Sequence, residues 1–136
     1  MLKKIKGNKV KIVIADDSDI LRKRIKESLN EIDDIEIVGE AKNGIEAVKV
    51  IREKNPDFVL LDIRMPKMNG LEVLKKIKAE TGNAKICVFT NYPYSEYKTK
   101  CLLEGADYFF DKNTNFREIK DIVAQLHIEL NGVHDG

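Results

Sequence analysis

Neither sign of charge dominates this chain. Lys and Arg number 24, Asp and Glu 23, and the formal net charge is +1. So close a balance supplies no field that would gather nucleic acid or an anionic membrane, and neither is expected as a partner. Cysteine is scarce: Cys87 and Cys101 have no metal-type spacing and no histidine cluster beside them. They read as the reduced thiols of a cytoplasmic protein. His127 and His134 stand alone and are assigned neither a metal nor a phosphoryl role. No apolar run approaches the ~20 residues of a membrane span. The basic start "MLKKIKGNKV" lacks the apolar centre and small-residue cleavage site of a signal peptide. There is no linker, short-period repeat or low-complexity segment. A nucleotide-binding Rossmann module is excluded for want of G-x-G-x-x-G, and no Walker lysine loop is present.

What is present is regular. The chain has 136 residues, 43% of them hydrophobic and 35% charged. That is enough for one soluble domain, 1–136, with a core at about 9–130. Apolar runs at Lys9–Ala15, Ile35–Ala41, Asp57–Asp62, Ala84–Thr90 and Ala106–Lys112 predict five strands. Between them lie helical faces: Leu21, Ile25 and Leu29; a helix opened by Asn43 with Glu46 three residues on; Leu71, Leu74 and Ile77; and Tyr94, Tyr97 and Cys101, closed by Gly105. Phe116, Ile119, Val123, Leu126 and Leu130 form the last. Five strand–helix repeats predict an α/β, flavodoxin-like sandwich with a parallel sheet in the order 2-1-3-4-5.

In such a sheet ligands bind beyond the carboxyl ends of the strands, where strand order reverses. The first strand ends in Asp16 and Asp17, the third in Asp62. The fourth ends in Thr90 and the fifth in Lys112. Three carboxylates brought together repel and raise one another's pKa. A hard divalent cation removes that conflict, and oxygen-only ligands with open positions suit Mg²⁺. Metal, hydroxyl and ammonium are the parts that stabilise a phosphoryl group in transfer, and a carboxylate can be the nucleophile.

The stretches "IADDSDILRKRI", "IEIVGEAKNGIEAV", "PDFVLLDIRMPKMNGLEVL", "FTNY" and "GADYFFDK", in that order, resemble the receiver domain of bacterial two-component response regulators. The resemblance runs from about Lys9 to Leu130. It implies that Asp62 accepts the phosphoryl group from a phosphohistidine on a sensor histidine kinase or phosphotransfer protein. It implies Mg²⁺ held by Asp17 and Asp62, by Asp16 mainly through water, and by the backbone carbonyl of Arg64. Thr90 and Lys112 would contact the phosphoryl group, and Phe109 would be the switch aromatic. The protein would catalyse only its own phosphorylation and dephosphorylation, and would not be an enzyme acting on other substrates. Because the chain stops soon after the fifth helix, a stand-alone receiver is expected, its output a downstream protein target. The alternatives are the receiver half of a DNA-binding regulator, or a degenerate receiver that binds partners without phosphorylation.

Some positions depart from the family pattern. Asn113 follows Lys112 where a cis-joined proline is usual, Phe109 lacks a tyrosine hydroxyl, and Asn91 stands where a small residue is common. Arg64 and Tyr92 flank the expected phosphoryl position. Plainer readings stand beside these. Asp16 and Asp17 can be a helix cap. Thr90 can be an ordinary strand residue, Lys112 a solvated lysine and Phe109 plain core. Arg22–Arg24 can be a solvated helix face or a docking patch for the kinase.

Overall fold

The computed structural model describes residues 9–113 and 116–131. The basic start up to residue 8 and the tail from residue 132, His134 included, lie outside them. Ten elements alternate: β1 (Val10–Ala15), α1 (Asp19–Leu29), β2 (Ile35–Ala41), α2 (Gly44–Lys54), β3 (Phe58–Leu61), α3 (Gly70–Ile77), β4 (Lys85–Thr90), α4 (Ser95–Leu103), β5 (Tyr108–Asp111) and α5 (Phe116–Leu130). The sheet is parallel, in the order β2-β1-β3-β4-β5, as the alternation predicts.

Strand residues alternate between the two faces. Val13, Ala15, Val59, Leu61, Ile86 and Val88 pack toward α2, α3 and α4. Ile12, Ile14, Phe58, Leu60, Cys87 and Phe89 pack toward α1 and α5. β3 is buried at all four positions, as a central strand covered on both faces must be. Carboxylates hold the amino ends of the strands in line. Asp57 accepts from the Lys11 amide at 2.8 Å, and Asp107 from the Ile86 amide at 2.8 Å. β2 slips past β1 between Ile12 and Val13, where Val38 is passed over and Val13 pairs with Gly39. A glycine inside a strand pattern marks such a bulge.

The strands end earlier than the apolar runs suggest. β3 stops at Leu61 and β5 at Asp111, so Asp62 and Lys112 stand one residue beyond the ladder. Helix starts follow their caps. Asn43 accepts from the Glu46 amide at 2.9 Å, while the Glu46 carboxylate takes the Lys42 amide at 3.1 Å. Ser18 caps α1, its Oγ accepting from the Leu21 amide at 3.1 Å. The capping reading of Asp16 and Asp17 therefore gives way to Ser18. The bond between Lys112 and Asn113 is trans, since no cis peptide occurs among the described residues.

Candidate functional site

Period two decides which strand-end side chains can meet. Asp16 follows Ala15 and Asp62 follows Leu61, both of which face the α2–α4 side. The alternation turns the two aspartates toward the other side, in phase with Ile14 and Leu60. Lys112 has the same phase, two residues after Phe110, which packs on the α1–α5 cluster. These three side chains meet. Lys112 Nζ lies 2.6 Å from Asp16 Oδ2 and 3.1 Å from Asp62 Oδ2. Carboxylate oxygens of Asp16, Asp17 and Asp62 all fall within 4.8 Å of one another. Asp16 and Asp62 are buried and Asp17 is exposed at the rim.

The backbone holds the acids in place. Asp16 Oδ1 accepts from the Ser18 amide at 2.9 Å, and Asp62 Oδ1 from the Ile63 amide at 2.8 Å. The loop after Asp62 is tied to α3 by the Gly70 amide, which donates to Ile63 O at 2.7 Å. A Cβ at Gly70 would stand 2.1 Å from the Asp62 carbonyl oxygen, so the glycine permits this close approach. Asn69 and Glu72 close a full capping box at the start of α3. The Asn-x-x-Glu spacing is the sequence signature of such a box.

Burial pushes the Asp62 carboxyl above the ordinary carboxylate range, and the charge of Asp16 adds to the rise. Lys112 and the Ile63 amide pull the other way. Burial alone would lower Lys112, but its hydrogen bond to Asp16 and the charges of Asp62 and Asp16 outweigh that and hold the ammonium up. The solvated-lysine reading of Lys112 falls, since its side chain is 8% exposed. One ammonium spans two carboxylates, with a third close by. Donors of this kind, all oxygen and anionic, fit a hard divalent cation.

Around the acids is a cleft of about 440 Å³, with Arg24, Arg64, Asn91, Tyr92 and Asn113 in its walls. Thr90 is fully buried, and its Oγ1 accepts from the Tyr92 amide at 3.0 Å. It ends β4 in phase with Val88, whose register partner on β5 is Phe109. Phe109 is half-buried against the α2–α4 cluster. Thr90 and Phe109 therefore share one strand phase and Asp16, Asp62 and Lys112 the other, with Thr90 ending its strand at the same carboxyl edge of the sheet. Arg64 is exposed, with its guanidinium carbon 4.1 Å from the centre of the Tyr92 ring and Nη2 3.3 Å from the Tyr97 hydroxyl. Arg22 does not fit the solvated-face reading of the basic run. Its side chain is 12% exposed and turned onto the loop that carries Asp16.

Comparison with known proteins agrees with this architecture. The family model of the response regulator receiver domain matches residues 12–124. The chain is 41% identical over 127 residues to an uncharacterized transcriptional regulatory protein of Bacillus subtilis, YhcZ, across 93% of this chain and 56% of that one. It is 35% identical over 116 residues to the nitrate/nitrite response regulator protein NarL of Escherichia coli, across 85% of this chain and 52% of that one. The response regulator domain of Thermotoga maritima CheB superposes with a TM-score of 0.77 at 26% identity, over 94% of this chain and all of that one. The chain spans about half the length of the curated transcriptional regulators it matches. No helix among the described residues is long and apolar enough to cross a membrane. A matched model over most of the described sheet, on a β2-β1-β3-β4-β5 scaffold with acids at its switch point, places this chain in the response regulator receiver domain family.

Proposed function

We propose that Asp62 accepts a phosphoryl group from the phosphohistidine of a sensor kinase or phosphotransfer protein in the cytoplasm, in a Mg²⁺-dependent reaction that changes a protein-binding surface. The observation that carries this reading is the meeting of Asp16, Asp17 and Asp62 within 4.8 Å, with Lys112 Nζ touching two of them. Asp16, Asp17, Asp62 and the backbone carbonyl of Arg64 are the groups assigned to Mg²⁺. When bound, the ion supplies positive charge that offsets the phosphoryl oxygens.

The chain's own residues divide the remaining work. An Asp62 carboxylate oxygen attacks phosphorus, an O–P bond forms, the donor's P–N bond breaks and its electron pair leaves with the imidazole. Lys112 shifts its donation from Asp62 Oδ2 to a phosphoryl oxygen, which keeps an ammonium beside the developing charge. Thr90 turns its hydroxyl proton to another phosphoryl oxygen. That movement opens space beside β5 for Phe109, which packs inward without a tyrosine hydroxyl to anchor it. The protein acts only on its own phosphorylation state and on protein partners.

Incubation with acetyl phosphate and MgCl₂ followed by intact mass tests the reading. One added phosphoryl group is expected on the wild type and none after chelation. An unchanged mass under every condition would favour a degenerate receiver. A second reading has its own support: several curated relatives, YhcZ of Bacillus subtilis among them, are transcriptional regulators about twice the matched length. In that case the same switch would govern a fused DNA-binding domain, and a longer reading frame would reveal it.

A further inference from the structure

Arg22 belongs to a run of three basic residues, yet its guanidinium engages three acceptors, of which Asp19 is exposed. Nη1 donates to the Asp16 carbonyl oxygen at 2.5 Å and Nε to Glu40 Oε1 at 3.0 Å, while Nη2 donates to Asp19. Glu40, near the end of β2, is held from its other oxygen by Lys26 at 2.6 Å. With Arg22 in place every polar group of Asp16 is engaged. Its amide donates to Ala41 O at 2.9 Å, Oδ1 accepts from the Ser18 amide, and Oδ2 accepts from Lys112.

A peptide unit is planar, so holding the Asp16 carbonyl also fixes the direction in which Asp17 leaves. Asp17 is the exposed member of the acidic trio and has the least packing to orient it. A bare guanidinium at this distance would repel a cation in the cleft. Asp19 and Glu40 neutralise it, leaving a donor that orients the loop with little opposing field. Lysine could not take the place of this fork, because one ammonium cannot present separate N–H groups to a carbonyl and a carboxylate in fixed directions.

We propose that Arg22 is a positioning residue for the acidic cleft. By clamping the Asp16–Asp17 peptide to Glu40 it sets the cleft's affinity for a divalent cation without touching the ion. This rests on the reading of the cleft as a Mg²⁺ site. Partners that orient a metal's ligands change affinity by about 10–100-fold when removed.

The test is titration of the full chain with MgCl₂ alone, followed by NMR of the Asp16, Asp17 and Asp62 amides, beside thermal melts of each variant. Arg22→Met keeps the apolar stem and removes the donors. It is expected to weaken Mg²⁺ binding about tenfold or more. Arg22→Lys should fall between it and the wild type. Phosphorylation by acetyl phosphate should return toward the wild-type rate at saturating Mg²⁺, a recovery that general damage to the fold would not give. A folded Arg22→Met protein that binds Mg²⁺ within twofold of the wild type overturns the proposal. If Arg22→Met does not fold, Glu40→Met, which removes the acceptor of Arg22 Nε, decides: a loss of about threefold or more supports the clamp, and unchanged affinity refutes it. A wild type that binds no Mg²⁺ removes the metal reading itself, and the clamp with it.

Discussion

Asp62→Asn should make the metal-free protein more stable. Asp62 and Asp16 carboxylate oxygens lie within 4.8 Å, a repulsion of at least about 3.5 kcal/mol at an effective dielectric of 20. Lys112 at 3.1 Å returns about 5 kcal/mol on the same scale. Asp17 adds a further repulsion, largely screened because it is exposed. The Coulomb contributions together leave about 1.5 kcal/mol or less in favour of the carboxylate. What remains is the cost of burying a carboxylate that is 5% exposed, several kcal/mol before hydrogen bonds offset part of it. Asparagine keeps an oxygen for the Ile63 amide and leaves Lys112 to Asp16. A net gain of about 1–2 kcal/mol follows, or roughly 4–8 °C in melting temperature for a domain of this size. The assay is thermal and urea unfolding of both proteins in EDTA, with MgCl₂ expected to narrow the gap by binding the wild type better. A variant less stable than wild type by about 1 kcal/mol or more in EDTA would refute this balance of charge and burial.

Other outcomes follow from single residues. Arg64→Ala should shorten the phosphorylated state roughly threefold, a barrier change of about 0.7 kcal/mol, because Arg64 stacked on Tyr92 walls the cleft against water. An unchanged lifetime would count against that. Lys67 has φ 70°, a left-handed conformation that costs a side-chain residue about 1 kcal/mol or more. Lys67→Gly should raise the urea midpoint by the equivalent of about 0.5 kcal/mol, once glycine's greater unfolded freedom is deducted. Cys87 and Cys101 are 0% and 1% exposed, and burial raises both thiols, Cys101 from 9.0 to about 11. The unfolded chain ionises these thiols first, so their contribution is intact below about pH 8.5 and is lost as pH rises toward 11. Alkylation at pH 8 should be slow in the native protein and fast in urea; fast native alkylation would contradict the packing.

The parts of the fold legible in the sequence are those that a period alone reveals. Alternating apolar runs marked the strands, and acids and a lysine just past three of them marked one rim. Asp16, Asp62 and Lys112 meet because they share a phase, which simple counting along each strand anticipates. Thr90 shares the rim but not the phase, and its hydrogen bond to the Tyr92 amide depends on a turn that no pattern specifies. Arg22 was hidden for a different reason. A helical wheel shows which face of α1 it occupies, but not that Glu40 of β2 and the Asp16 carbonyl converge on that face. Such a contact exists only once two strands and a helix are assembled. The β2 bulge had a signal in Gly39, but its position depended on pairing with β1.

Locating the phosphoryl group tests the central claim most directly. After reaction with acetyl phosphate and MgCl₂, the acyl phosphate can be reduced with borohydride and the chain cleaved for peptide mass analysis. The account predicts reduction at position 62 alone, abolished by EDTA and by Asp62→Asn. Reduction at Asp16 or Asp17 instead, or labelling that persists without a divalent cation, would contradict it.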